Sequence, residues 1–172
     1  SDNSKPTILK GTILESLDEM CDWYQVKFDV TDEEGNTTTE KENYALGDGE
    51  NVGDVITYTY KGTDYQATIL KENDIKHSKC KISDTSESKA VYGVFQAWDN
   101  DDDAVNDMYV AQTGTFVVRL NSSVTTLNKG DLIQSNGDGT GKIQADDIIR
   151  ASTVAKVLST TKIETYSDGS YI

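Results

Sequence analysis

The aspartate-rich segment WDNDDDAVNDMY is the first place where this chain could do chemistry. Asp99, Asp101 and Asp103 alternate as the first three ligands of a calcium loop do, and Ca²⁺ prefers such carboxylate oxygens. Ala104 replaces the glycine that a calcium loop needs at its sharp turn, and Val110 replaces its bidentate acid. A glycosidase would need one of its two carboxyls in an apolar pocket, which so polar a stretch does not offer. We therefore expect a solvated acidic loop between two strands, with a weak cation site at the three aspartates as the alternative.

The glycine-rich segment SNGDGTGK, residues 135–142, resembles a phosphate-binding loop because glycines precede a lysine. A phosphate loop has more residues between its two glycines than the three that separate Gly137 from Gly141 here. Ile143 also stands where a serine or threonine would bind Mg²⁺. The apolar runs DLIQ and KIQ flank the segment, so it predicts a β-hairpin turn, and GDGENVG at residues 47–53 is interpreted in the same way.

His77 and Cys80 have the spacing of a metal-ligand pair, and Cys21 could join them. Structural zinc sites normally offer four ligands from paired motifs, so these three residues make a weak zinc signal. A cysteine or serine nucleophile would require His77 as its base, together with an orienting group and an oxyanion hole. Because the chain has one histidine, and it lies in a polar stretch, we predict no catalytic residue, no cofactor and no enzymatic activity.

Charge and length exclude several classes of partner. The chain of 172 residues has 30 acidic and 16 basic side chains, which give a net charge of −14. This charge repels nucleic acid and anionic membrane surfaces, so neither is an expected partner. No apolar run approaches the roughly 20 residues that cross a bilayer, and the polar start SDNSKPT has no signal-peptide apolar segment. Two cysteines make no disulfide framework, and we expect both thiols to be reduced.

The composition and the alternation of apolar residues predict an all-β fold. The chain has 13 glycines, 9 tyrosines and a single proline, which suits short strands joined by tight turns. WYQVKFDV alternates over residues 23–30, DEEGN supplies a turn, and TTTEKENYAL returns as a partner strand. VITYTY and YQATILK, joined by KGTD, predict a second hairpin. We predict two small domains, an N-terminal five-stranded barrel or sandwich over residues 1–75 and a C-terminal antiparallel β domain over residues 76–172.

The second half of the chain continues the strand pattern after a polar stretch. Residues 71–89 have few large apolar side chains and are expected to form a linker with one short strand. Residues 146–150, DDIIR, are the one place where a single helical turn is expected. The predicted strands beyond the linker are residues 90–98, 108–120, 131–135, 141–144, 153–160 and 162–166.

The order of short motifs in this second half resembles a β domain of fibre proteins from phages and giant viruses. That domain has a "VxGV" segment, a glycine-containing strand pair, a "GD" with an apolar pair, a glycine turn, a "QxDD" and a "TVAK" or "TVGK". The resemblance covers about residues 77–170, and several ordered motifs at consistent spacing are more specific than any one of them. The matching pieces are Val91 to Val94, Gly114, Gly130 to Ile133, Gly137 to Gly141, Gln144 to Asp147 and Thr153 to Lys156.

The resemblance implies a non-catalytic structural role on the outside of a virus particle. The chain would be a tail-fibre or appendage component, favoured by the resemblance, or a capsid decoration protein, favoured by a short chain that begins like an intact N-terminus. It would bind copies of itself, with a trimer as first choice, and other virion proteins, and exposed sheet edges favour the same association. Related domains lie near self-cleaving chaperone segments, so an autoproteolytic fibre-maturation domain is a less favoured alternative.

A carbohydrate-binding adhesive module is the alternative from a different class. Trp23 and Trp98, with some of the tyrosines, could stack on a sugar of the host surface. Both tryptophans lie in apolar alternations, and such residues mostly belong to the core. The structural role therefore remains the first expectation.

Overall fold

The computed structural model describes residues 5–99 and 107–172, with the backbone alone for residues 73–76. Within these ranges the chain forms nine β-strands and no α-helix, so the predicted all-β class is confirmed. The strands are β1 (Ile13–Thr31), β2 (Thr37–Asn43), β3 (Val55–Tyr60), β4 (Thr63–Ile82), β5 (Val91–Trp98), β6 (Met108–Ala111), β7 (Leu132–Ser135), β8 (Gly141–Ile143) and β9 (Thr153–Lys156).

The strands belong to two sheets. One sheet has the order β3-β4-β1-β5-β6, with β2 paired to β1 off this path, and the other has the order β8-β7-β9. The described residues also divide into two compact units, unit 1 with Glu19–Ser78 and unit 2 with Lys5–Asp18, Lys79–Asp99 and Asp107–Ile172. Residues 5–18 thus belong to the same unit as the C-terminal half, and the domain boundary at residue 75 stays a prediction.

Unit 1 contains two antiparallel hairpins. Residues 25–31 of β1 pair with residues 37–43 of β2, and the carboxylate of Asp32 closes their turn by accepting two backbone N–H groups at 2.8 and 3.0 Å. Residues 55–60 of β3 pair with residues 63–68 of β4 across a tight turn. Both hairpins follow from local alternation and turn residues, and both sequence predictions are confirmed.

The core of unit 1 lies on one face of these strands. Val26 and Phe28 of β1 are buried, whereas Lys27 between them is exposed, as the predicted alternation requires. Ala67 and Ile69 of β4 complete the buried cluster. Three tyrosine rings surround the Phe28 ring at centroid distances of 5.1 to 5.5 Å: Tyr58, Tyr60 and Tyr65.

In unit 2, the first residues of β1 pair with β5. Ile13 pairs with Val94, and the register then shifts between Leu14 and Glu15, where a β-bulge interrupts the ladder. β-bulges change the direction of the neighbouring side chains. Ile13, Leu14 and Glu15 are all buried, so both faces of β1 are covered at this point.

The segment SNGDGTGK forms the turn between β7 and β8. Ser135 pairs with Gly141 across it, and the N–H of Asn136 donates to the carbonyl of Thr140 at 2.8 Å. The Asp138 carboxylate accepts the N–H of Thr140 at 3.0 Å. The predicted hairpin is confirmed.

Two predictions about strand bounds are wrong. Residues 71–82 are not a linker with one short strand, because β4 continues through them to Ile82. A strand needs paired backbone groups rather than apolar side chains, so a polar composition did not exclude it. The strand predicted over residues 108–120 ends at Ala111, and Gly114 follows with a φ of 94°, which a continuing strand does not allow.

Two further local predictions are wrong near the C-terminus. Residues 146–150 form no helical turn, and the chain bends at residues 145–147 instead. Within residues 162–166, only Thr165 makes a strand contact, an isolated bridge to Tyr171. The remaining predicted strands of unit 2 are present with shorter bounds.

Candidate functional site

The structure settles the environment of only one of the three candidate calcium ligands. Asp99 follows β5, and its N–H donates to the carbonyl of Asp107 at 3.0 Å. Asp101 and Asp103 lie outside the described residues. In the part of the chain that the structure describes, no three histidine, cysteine, aspartate or glutamate side chains cluster as metal ligands would. Cys21 lies on β1, and His77 and Cys80 lie on β4.

A calcium titration tests the acidic segment directly. If its aspartates are solvated, Asp101→Asn and Asp103→Asn should each change the free energy of unfolding by no more than ~0.5 kcal/mol. Millimolar calcium and a chelator should then give the same melting temperature. A site of ~10 µM affinity would instead add about 2.7 kcal/mol in millimolar calcium, so a rise in melting temperature that Asp101→Asn abolishes would contradict the solvated loop.

Unit 2 contains a buried carboxylate next to two buried hydroxyls. Glu15 Oε1 accepts a hydrogen bond from the Ser83 hydroxyl at 2.7 Å and another from the N–H of Thr85 at 3.2 Å. Ser83 Oγ also lies 2.5 Å from Ser135 Oγ. Lys81 Nζ lies 3.9 Å from Glu15 Oε2. We call Glu15, Ser83 and Ser135 the buried triad.

A carboxylate beside a serine hydroxyl is a pattern that some nucleophilic sites use. Here Ser83 and Ser135 have no exposed surface, and Glu15 is 4 % exposed. A substrate from solvent has no path to either hydroxyl. Both hydroxyls and Glu15 Oε1 have hydrogen-bond partners, and Lys81 Nζ lies 3.9 Å from Glu15 Oε2. We therefore assign the buried triad to the stability of unit 2. No sequence pattern reveals it, because its members come from three distant parts of the chain.

A second polar network fixes the loop between β8 and β9. The amide nitrogen of buried Gln144 donates to the carbonyl of Ile148 at 2.6 Å, and its oxygen accepts the Thr153 hydroxyl at 2.8 Å. The guanidinium of Arg150 donates to both carboxylate oxygens of Asp146, at 2.6 and 2.7 Å. Paired hydrogen bonds of this kind are among the strongest and most directional in proteins. We call residues 145–152 the isoleucine loop, because its tip carries Ile148 and Ile149.

The charge state of Asp146 follows from this geometry. Hydrogen bonds from Arg150, and then from the N–H of Ile148, hold the pKa of the Asp146 carboxyl well below its usual value of 3.8. A lowered pKa contributes stability that is complete above the ordinary pKa and is lost as the pH falls through the lowered one. The isoleucine loop should therefore keep its ion pair in acid below pH 3.8.

Replacing Arg150 by methionine should move the pKa of Asp146 upward, towards 3.8, because the largest cause of its lowering is removed. Carboxyl carbon shifts in an NMR titration measure this pKa. Lys156→Met is the matched control, since it removes a positive charge of β9 that does not contribute to the lowered pKa of Asp146. An unchanged pKa in Arg150→Met would show that the ion pair does not form in solution.

An apolar groove opens on unit 2. Its cavity has a volume of about 670 Å³. Residues 112–118 and 154–161 line it on two sides, and the buried side chains of Leu120, Ile133 and Tyr171 also face it. We call this cavity the apolar groove. Its volume lies within the range of ~300–1,000 Å³ that is typical of binding cavities.

The walls of the apolar groove contain exposed aliphatic side chains and an edge strand. Leu158 and Ile163 are 60 % and 70 % exposed beside the cavity, so they extend its apolar surface to solvent, and exposed apolar patches often mark binding sites. The N–H groups of residues 115–118 and 158–160 donate to no backbone carbonyl among the described residues. β9 is an edge strand of its sheet. Such edges accept further strands or loops.

The apolar groove also differs from the rest of the chain in charge. Among the residues that line it, Lys156 is the one charged side chain and no aspartate or glutamate is present, in a chain with 30 acids. Lys156 lines the groove, and Lys162 Nζ lies 3.9 Å from the centre of the Tyr171 ring. Depletion of charge around an apolar centre is typical of surfaces that bind other proteins.

The two tryptophans considered for sugar binding are only partly exposed. The ring of Trp98 lies 5.5 Å from that of Phe95, and its indole N–H donates to the carbonyl of Pro6 at 3.2 Å. Trp23 lies on β1 and is half-buried. A sugar-stacking platform normally presents an open ring face, so these contacts favour a structural role for Trp98.

The apolar groove is therefore the best candidate for a functional surface.

No match to this chain is found among protein-family models, curated proteins or solved structures. A helix long and apolar enough to cross a membrane does not occur in residues 5–99 and 107–172.

Proposed function

We propose that this chain is a bacteriophage virion structural protein on the exterior of the particle. It acts without catalysis, as a tail-fibre or appendage component or as a capsid decoration protein, and it assembles through contacts of its β-structure. The observation that carries the proposal is the resemblance of residues 77–170 to a fibre β domain, taken together with the positions of the matching motifs in unit 2.

Those motifs coincide with residues that fix local geometry. The "VxGV" piece lies in β5, where a Cβ on Gly93 would come within 2.7 Å of the Ala111 carbonyl. Gly130 has a φ of 96°, and its N–H donates to Val157 just before β7. Gln144 organises the isoleucine loop, and "TVAK" is β9. Motifs at structurally constrained positions support a shared domain more strongly than short motifs at positions without a structural role.

The proposal extends to domain architecture and partners. We propose a five-stranded barrel or sandwich in the N-terminal part and an antiparallel β domain in the C-terminal part. Copies of the chain associate, with a trimer as first choice, and they contact other virion proteins. The apolar groove and the edge strand β9 support this association, and the net charge of −14 disfavours nucleic acid as a partner.

Immunogold electron microscopy of intact particles from the source of this sequence tests the proposal. Antibodies against the chain should label the particle exterior at a repeated position, either on an appendage or over the head. A purified particle fraction that contains the chain but stays unlabelled until it is disrupted would contradict an exterior location. Particles that lack the chain would contradict the virion assignment.

Two measurements address the alternatives. Binding to defined sugars on a glycan array, lost in Trp98→Ala, would favour an adhesive module, although the contacts of Trp98 with Phe95 and Pro6 favour a structural role. The intact mass after expression tests autoproteolysis. We expect the full mass, and a single fragment boundary would favour a self-cleaving domain.

A further inference from the structure

We propose that the isoleucine loop of one copy of this chain inserts Ile148 and Ile149 into the apolar groove of a second copy. The inference rests on the proposed function in one respect, namely that copies of the chain associate. It goes further by naming the two surfaces that meet.

The isoleucine loop presents an apolar tip in a fixed conformation. Ile148 and Ile149 are 62 % and 76 % exposed, and they are adjacent on a loop whose backbone is held from both sides. Gln144 binds the carbonyl of Ile148, and Asp146 accepts the N–H of the same residue at 3.0 Å. Little conformational freedom is left for the tip to lose on binding, which is a condition for tight association.

The apolar groove offers the complementary surface. It accommodates a pair of branched side chains within its volume of about 670 Å³. Neither isoleucine of the loop lines the groove of its own chain. The tip and the groove are thus two separate surfaces of unit 2, and each copy can use both.

Charge selects a second copy as the occupant. Asp147 is exposed beside the apolar tip, where Arg150 already neutralises the neighbouring Asp146, whereas Lys156 and Lys162 lie at the groove. Two copies with a net charge of −14 each repel one another over most of their surface. At the groove, which has no acid in its walls, the acidic flank of the tip meets positive charge instead.

The resulting contact joins two different patches. Such a head-to-tail contact closes into a ring when the rotation between copies allows it, and it otherwise continues as an open assembly. Because each copy contributes one tip and one groove, a variant that lacks one surface can still use the other. This property gives a direct test.

Sedimentation of the full chain, with variants at exposed positions, tests the contact. The tip variant is Ile148→Glu with Ile149→Glu, and the groove variant is Leu158→Glu with Ile163→Glu. Each should associate at least about 100-fold more weakly than the original chain, since two buried aliphatic side chains are lost. Val55→Glu is the matched control, because Val55 is 61 % exposed on β3, and it should leave association unchanged.

Mixing the two variants distinguishes this contact from any other. The groove variant keeps its tip and the tip variant keeps its groove, so an equimolar mixture should form a one-to-one complex that does not grow further. Variants that associate like the original chain, or a mixture that stays monomeric, would overturn the inference while leaving the proposed function intact. A chain that is monomeric at all concentrations would overturn both the inference and the self-association within the proposed function.

Discussion

Replacing Gly11 by alanine should lower the free energy of unfolding of unit 2 by about 2 to 5 kcal/mol. Gly11 has a φ of 85°, a conformation that costs an alanine ~1–2 kcal/mol. A Cβ there would also lie 2.6 Å from the Arg119 nitrogen and 2.8 Å from Ile172 Cγ2. Overpacking of this kind adds ~1–3 kcal/mol.

The Arg119 backbone cannot move away without losing structure. Its N–H donates to the Gly11 carbonyl at 2.8 Å, and the Gly11 N–H donates to the Phe95 carbonyl at 2.8 Å. Gly11 thus holds a segment before β1 against β5 and against residue 119. Relief of the steric clash would break one of these hydrogen bonds, so the substitution must lower the free energy of unfolding of unit 2.

Gly130→Ala is the control for the part of the stability loss that comes from the positive φ alone. Gly130 has a φ of 96°, but no atom lies within 4 Å of the position that its Cβ would take. It should therefore lose only the ~1–2 kcal/mol of the backbone conformation. Chemical denaturation of both variants measures the two values. Equal losses in the two variants would show that the close approach at Gly11 contributes nothing.

The sequence was most informative where the structural cause is local. The hairpin of β1 and β2 depends on alternation over a few residues and on one turn, and both signals stand next to each other in the chain. The turn between β7 and β8 was predictable for the same reason. The burial of Val26 and Phe28 on either side of exposed Lys27 follows from the two-residue period of a strand.

The sequence was least informative where pairing or function depends on distant residues. The polar second half of β4 gave no signal, because hydrogen bonds between strands do not require apolar side chains. Asp146 and Arg150 are four residues apart, the spacing of an ion pair on a helix, although the structure uses it to close a loop.

The apolar groove could not be predicted from the sequence either. The apolar groove combines side chains from residues 112–118 with others more than thirty residues away, and no periodicity links them. One local signal was available, since residues 148–163 contain three basic side chains and no acid in a strongly acidic chain. This gap in acidic charge overlaps the groove wall at residues 154–161, so it marks part of the surface without defining it.

The buried triad leads to the second large effect. Glu15→Ala should lower the free energy of unfolding of unit 2 by roughly 2 to 4 kcal/mol, because a buried carboxylate that accepts two hydrogen bonds is removed. The Ser83 hydroxyl keeps its contact with Ser135, but the N–H of Thr85 is left without its acceptor. Denaturant unfolding measures the loss.

Asp18→Ala is the matched control, because Asp18 is an exposed acid on the same strand and its removal should change the free energy of unfolding by less than ~0.5 kcal/mol. Ser83→Ala adds a second test through a double-mutant cycle. If Glu15 acts through the Ser83 hydroxyl, the double variant should lose less than the sum of the two single losses, with a coupling of ~0.5–3 kcal/mol. Additive losses would instead show that Glu15 stabilises unit 2 through Thr85 or Lys81. The contact between the two serine hydroxyls would then be independent of Glu15.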